Sequence, residues 1–442
     1  MSERTLRVAV VGSGPAGFYA AGALLASEEP RVHVDMLERL PTPWGLVRLG
    51  VAPDHPNIKA VSRAIERIAT KEGFRFFGNV EVGRDVTHEE LAARYDAVVY
   101  AVGAQTDRQL GIPGEELPGS WPATAFVAWY NGHPDFQDLE FDLSHERAVV
   151  IGNGNVALDV ARMLALTPEE LLPTDTTDAA IAAINGSGIR EILVVGRRGP
   201  VQAAWTPVEV GELGELAGAD VLVDPGQLEL DPASATELEA APPTVKRSVE
   251  HLRDYAARPP EGKARAIRLR FLASPVAILG DEKVEAIELV RNELVDGRAV
   301  PTEEREVVPC GIVFRSVGYR GVELPGVPFD AGVGTIPNEG GRVAPGLYVA
   351  GWIKRGPSGV IGTNKKDATE TVELLLADAR AGALPEASGD DLEALLRERG
   401  VEFVLYAGWE SIDAAERSAG EPQGRPRVKL CTWDELLQAA RG

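Results

Sequence analysis

Cysteine is almost missing from this chain: 442 residues hold only Cys310 and Cys431. Two cysteines so far apart give no CxxC pair, no zinc cluster and no set of iron–sulfur ligands. Redox chemistry, if the chain performs it, must therefore sit on a bound cofactor. The histidines are few as well, and His33, His88, His133, His145 and His251 show no ligand spacing, so no metal is expected. No apolar run approaches the roughly 18 residues of a membrane helix. Met1-Ser2-Glu3-Arg4 leads into an apolar strand without a signal-peptide core or an Arg-rich leader, which predicts a cytoplasmic chain or an already processed one. Bases are in deficit, 45 against 67 acids, for a formal charge of −22. Such a surface repels nucleic acid and anionic lipid, and neither is expected as a partner. The length exceeds what one core serves and predicts two or three domains.

What is present begins at once. Leu6 to Val11 reads as a buried parallel strand, Gly12-Ser13-Gly14-Pro15-Ala16-Gly17 follows, and Phe18 to Ala26 reads as a helix. Val32 to Leu37 is a second strand, closed by Glu38. This is the βαβ context in which GxGxxG binds a dinucleotide. Gly12 permits the tight turn, Gly14 lets a pyrophosphate approach the backbone, and Gly17 lets helix and strand pack closely. The helix N-terminus offers N–H donors and a positive dipole end. Glu38, 21 residues after Gly17, can accept hydrogen bonds from ribose hydroxyls.

A second copy follows. Arg147 to Ile151 is a strand, Gly152-Asn153-Gly154-Asn155-Val156-Ala157 is GxGxxA, and Leu158 to Leu166 is a helix. The next strand, Glu191 to Gly196, ends in Arg197-Arg198 rather than an acid. A carboxylate there would repel a 2′-phosphate, whereas two guanidinium groups would bind one. The first turn suits FAD or NAD and the second suits NADP; the plainer reading of Arg197-Arg198 is a solvated pair.

Asp96 to Tyr100 and Gly311 to Val317 read as strands closing the two halves. Leu347 to Gly351 is a further strand, and Gly359 to Asn364 leads into a helix over about 365–376. Segment 225–243 reads as a loop, 383–391 as a linker, and Glu402 to Tyr406 as a strand in a charged tail. The pattern predicts an α/β fold. It has two Rossmann-like, three-layer (ββα/αβα) dinucleotide-binding domains. The NADP domain, 106–320, is inserted in an FAD domain made of 1–105 and 321–442.

Pro43-Trp44-Gly45-Leu46-Val47-Arg48, Gly50-Val51-Ala52-Pro53-Asp54-His55-Pro56, Gly196-Arg197-Arg198-Gly199-Pro200 and the string Gly351-Trp352 to Lys365-Lys366 resemble the bacterial ferredoxin–NADP reductases of the adrenodoxin reductase type. The resemblance spans nearly the whole chain. It implies FAD, NADP and electron transfer to an acidic iron–sulfur ferredoxin. Carried over by position, it implies Ala16, Glu38, Leu46, Val82, Trp352, Gly359, Val360 and Ile361 as FAD contacts, beside Gly12, Gly14 and Gly17. Asn153, Gly154, Asn155, Val156, Arg197, Arg198, Glu209 and Arg108 would hold NADP. His55 and Glu212 match polar residues near the family's flavin and are the catalytic candidates. Gly17 departs from the larger small residue of close relatives, and the stretch 211–245 matches poorly.

His55, between prolines, is either a proton-handling group near the flavin or a loop histidine with a structural hydrogen bond. Trp352 either covers the flavin or packs a core. Between Lys246 and Arg270 stand eight bases and three acids, either a docking face for the ferredoxin, near Lys246 and Arg247, or an ordinary solvated face. With two isolated cysteines, a thiol-relay mechanism of the thioredoxin reductase kind is excluded. The alternatives are an NADPH diaphorase or quinone reductase, the electron-input module of a larger complex, and a flavoprotein that senses NADP without turnover. A monomer or weak dimer is expected.

Overall fold

Leu6–Val11 is a strand in the middle of a six-stranded sheet. The computed structural model describes residues 5–55, 62–359 and 361–442. The sheet runs Arg342–Ala344, Leu347–Val349, Ala97–Tyr100, Leu6–Val11, Val32–Leu37, Phe74–Phe77, parallel except at its first pair. Its central strands are buried on both faces, as their near-continuous Val, Ala and Leu runs require of a parallel sheet. One face packs Val8, Val10 and Met36 on the helices Pro15–Leu24 and Ile361–Arg380; the other packs Ala9, Val11 and Leu37 on a separate apolar cluster.

A second six-stranded sheet is parallel throughout, in the order Ser120–Pro122, Ile312–Arg315, Arg147–Ile151, Glu191–Val195, Arg265–Arg270, Ala219–Val223. Helices cover one face, and a three-stranded antiparallel sheet, Ala273–Leu279, Ala286–Val295 and Arg298–Pro309, accompanies the core on the other. Each sheet is thus the middle of three layers.

The chain divides into two units. The first comprises 1–106, 131–135 and 318–442, and the second 107–130 and 136–317. The five-residue excursion is anchored in the first unit. Arg39 pairs with Asp135 at 2.7 Å, Trp433 Nε1 donates to Asp135 at 2.9 Å, and Lys429 Nζ donates to Asn131 Oδ1 at 3.2 Å.

Three segments differ from expectation. Within 225–243, Pro232–Ala240 is a helix, because Asp231 accepts from the Ala233 and Ser234 N–H groups and Pro232 presets the first turn. The 402–406 strand shrinks to one bridge, Val404 against Gly78, and Tyr406 already opens a helix running to Gly420. The helix expected over 365–376 starts earlier and ends later, at Ile361–Arg380.

Candidate functional site

The first glycine turn does what its residues permit. Gly12 has φ +102°, and a Cβ there would lie 2.6 Å from the Ala101 carbonyl oxygen. A Cβ on Gly17 would come within 1.9 Å of the Gly12 carbonyl oxygen, so the departure at Gly17 matches a place with no spare room. Gly14 is the opposite case: a Cβ there would meet nothing within 4 Å. Gly14 is also the N-cap of the helix Pro15–Leu24 and carries no side chain to cap it. The first-turn N–H groups of Ala16 and Gly17 therefore carry no N-cap side chain. Many other helices here are capped by threonine, as at Thr87, Thr177 and Thr432.

Glu38 stands at the end of the neighbouring strand. Its Oε2 accepts from Ser13 N–H at 3.0 Å and Ser13 Oγ at 2.7 Å, and its Oε1 accepts from Leu40 N–H at 3.1 Å. These bonds fix the carboxylate beside the turn and leave it acceptor capacity. Two further segments close on the same turn. A Cβ on Gly351, at φ +78°, would lie 2.6 Å from Ala16 Cβ, and one on Gly45 would lie 3.0 Å from Gly14 Cα. Gly351 leads into Trp352, whose buried Nε1 has no partner among the described residues and whose ring stands 5.4 Å from Tyr319. Leu46 follows Gly45 and is 40% exposed, a large apolar side chain left uncovered beside the turn.

The second turn repeats the plan. Gly152 has φ +135°, with a Cβ position 2.1 Å from the Ser316 carbonyl oxygen, whereas Gly154 has nothing within 4 Å and caps the helix Asn155–Ala165 without a side chain. Asn153 packs on Gly196, and its buried Nδ2 has no partner among the described residues. Asn155 Oδ1 accepts from Thr206 N–H at 2.8 Å. Gly196 ends the strand Glu191–Val195, and Arg197 follows it into solvent with Arg198 half-buried. Neither guanidinium has a carboxylate partner among the described residues. An open cradle, unfilled N–H donors and orphaned polar atoms fit a dinucleotide at each turn. An acid at one strand end and two free cations at the other fit FAD and NADP in turn.

The remaining candidates lie outside the two glycine turns. Val82 is buried in the core that also holds Val11 and Leu37. His55 is buried, with its N–H on the Ala52 carbonyl at 3.0 Å. Gly359 is exposed at φ +81°; Val360 lies outside the described residues, as does the side chain of Ile361, which opens the long helix. Arg108 is exposed. Glu209 and Glu212 come together on one buried cation: Arg162 Nη1 is 3.4 Å from Glu209 and 3.9 Å from Glu212, and its Nη2 is 2.7 Å from Asp159.

Sequence reasoning missed two members of these sites. Ser13 holds Glu38. Asp367, buried, accepts from Gly351 N–H at 2.5 Å and pairs with Lys354 at 3.0 Å, fixing the turn that carries Trp352. Trp44 has φ +84°, which no local pattern announces. Neither thiol is primed for chemistry, since burial pushes Cys310 up to about 12 and Cys431 up to about 11.

Residues 6–172 match the pyridine nucleotide-disulphide oxidoreductase family. The NADPH-ferredoxin reductase FprA of Mycobacterium tuberculosis is 53% identical, over 99% of this chain and 100% of that one. The mitochondrial NADPH:adrenodoxin oxidoreductase of Homo sapiens is 45% identical, over 99% of this chain and 92% of its own. The solved structure of the Mycobacterium tuberculosis protein in complex with NADPH superposes with a TM-score of 0.94 at 51% identity, over 99% of this chain and 100% of that one.

Proposed function

Because the chain belongs to the NADPH–ferredoxin reductases, we propose that FAD lies on the Gly12–Gly17 turn and NADP on the Gly152–Ala157 turn. Held there, FAD and NADPH would supply the hydride chemistry and the one-electron transfer to a ferredoxin-type iron–sulfur protein. The residues supply position and selectivity. The Pro15–Leu24 helix start receives the FAD pyrophosphate, Glu38 the adenosine ribose, and Trp352 one side of the flavin ring. The Asn155–Ala165 helix start receives the NADP pyrophosphate, and Arg197 and Arg198 its 2′-phosphate. His55 and Glu212 are proposed at the flavin, Glu212 with its charge balanced by Arg162. The inert thiols fit a route that needs no protein disulfide. A cytoplasmic setting is part of the same proposal.

The observation that carries this division is the contrast at the two strand ends, a fixed carboxylate at Glu38 against two cations without carboxylate partners at Arg197 and Arg198. Anaerobic NADPH should bleach the flavin far faster than NADH. Replacing both arginines by alanine should remove that preference by raising KM for NADPH about tenfold or more, since bonds to charged groups contribute about 1.5–3 kcal/mol. Equal bleaching by both nucleotides in the parent enzyme would refute the assignment.

For the ferredoxin-type partner, Lys246 and Arg247 on the helix Pro243–Ala257 are proposed as docking cations. Both are exposed, with Arg253 and Arg258 on the same helix and its end.

A further inference from the structure

The Pro43–Arg48 segment reaches the first glycine turn in a conformation that its own residues do not favour. Trp44 has φ +84°. A tryptophan holds that conformation only where its surroundings over-determine it. On one side the surroundings are the turn itself: Trp44 N–H donates to the Ser13 carbonyl at 3.2 Å, and the Trp44 ring lies 4.7 Å from Phe18.

On the other side stands the C-terminal tail. Trp409, on the helix Tyr406–Gly420, meets Trp44 edge-on at 6.2 Å and lies under the Arg48 guanidinium at 5.3 Å. Arg48 makes a bidentate pair with Glu416, at 2.9 and 2.5 Å. Glu416 is fully buried, and its two oxygens also accept from Arg427 at 3.0 Å and Leu430 N–H at 3.0 Å. Lys429 Nζ donates to the Arg48 carbonyl at 3.2 Å. Every acceptor site that the carboxylate uses is aimed at fixing Arg48 or the irregular segment beyond the helix, at Arg427 and Leu430.

A buried ion pair of this kind is weak evidence of stability. Its desolvation cost rivals its attraction, and apolar replacements are often as stable. What the bidentate fork does supply is a fixed direction. Here that direction sets Arg48, three residues from Gly45, whose backbone is pressed on Gly14.

We propose that Glu416 is a positioning residue for FAD. Through Arg48 and Trp409 the tail holds the strained Trp44-Gly45 turn against Gly14, so that the cradle is formed before the cofactor arrives. The inference rests on FAD lying at the Gly12–Gly17 turn. It gives the C-terminal tail a task in cofactor retention.

The test is the rate of FAD release from the full-length holoenzyme, read as the rise of free-flavin fluorescence, together with the flavin absorption band shape. Glu416→Gln and Arg48→Lys should each release FAD at least tenfold faster. They should also change the band shape at a temperature where their circular dichroism equals the parent's. Release at the parental rate, with only a lower unfolding temperature, would overturn the proposal and leave Glu416 a structural residue. If Glu416→Gln does not fold, Arg48→Lys, which keeps the charge and loses the fork, decides. Gly14→Val serves as the control, because a side chain there has free space. It should empty the site, and retention of FAD by Gly14→Val would refute the site assignment itself rather than the part played by Glu416.

Discussion

Asp107 shows how far a single residue's chemistry departs from its type. It accepts from the Thr124 hydroxyl, and burial pushes its carboxyl up to about 6 against the attraction of Arg315. Raised above the unfolded value of 3.8, the group binds its proton more tightly in the folded chain. Its contribution to stability is therefore present at low pH and lost as pH rises from about 4 through about 6. Asp107→Asn, which keeps an acceptor for Thr124, should be more stable than the parent at pH 8 and no more stable at pH 4. Urea midpoints at the two pH values decide this, and an equal difference at both would refute it. Nothing local marks Asp107 as unusual, because the burial that shifts it comes from residues distant in sequence. The positions of Glu38, Arg197 and Arg198 were legible for the converse reason: each stands at a strand end, and strand ends follow from local pattern.

Elements were legible where hydrophobic period and glycine spacing agree. Both βαβ units fall in this class, since strand, turn, helix and strand each confirm the next. Elements set by a cap or by distant pairing were not. The Pro232–Ala240 helix lies in an acid- and proline-rich stretch that reads as loop, and it depends on Asp231 accepting two N–H groups at 3.0 Å. Asp231→Ala should cost about 1 kcal/mol of stability, the usual worth of an N-cap, and leave NADPH-driven flavin reduction unchanged. Chemical denaturation measures the first and stopped-flow absorbance the second; an unshifted midpoint would show that the helix does not need its cap. The 402–406 segment failed as a strand because its alternating residues find one bridge partner at Gly78 rather than a neighbouring strand.

At the scale of the molecule, charge is redistributed by folding. Residues 205–245 hold nine acids and no base, and 386–422 hold ten acids and three bases. Much of this is neutralised by partners from elsewhere in the chain: Asp391 by Arg75, Glu402 by Arg441, Glu416 by Arg48 and Arg427. The basic stretch 246–270 is thinned in the same way. Arg265 donates to the Leu164, Leu166 and Ile184 carbonyls, Arg268 pairs with Glu191, and Arg270 pairs with Glu306. The cations left exposed on that helix and its end, Lys246, Arg247, Arg253 and Arg258, stand beside Glu250 and Asp254. The double variant Lys246→Glu, Arg247→Glu should slow ferredoxin-coupled cytochrome c reduction several-fold and flatten its salt dependence, while sparing ferricyanide reduction. Equal loss in both assays would remove these residues from docking. The excursion 131–135 bears on a different matter, the exchange of parts between enzymes. A nucleotide domain that left and re-entered its host once each way could be moved as a cassette. Here five residues in the middle of that cassette belong to the host, where Arg39, Lys429 and Trp433 hold them. A chimera that grafts 107–317 onto another flavoprotein must therefore bring matching anchors with it or rebuild that stitch.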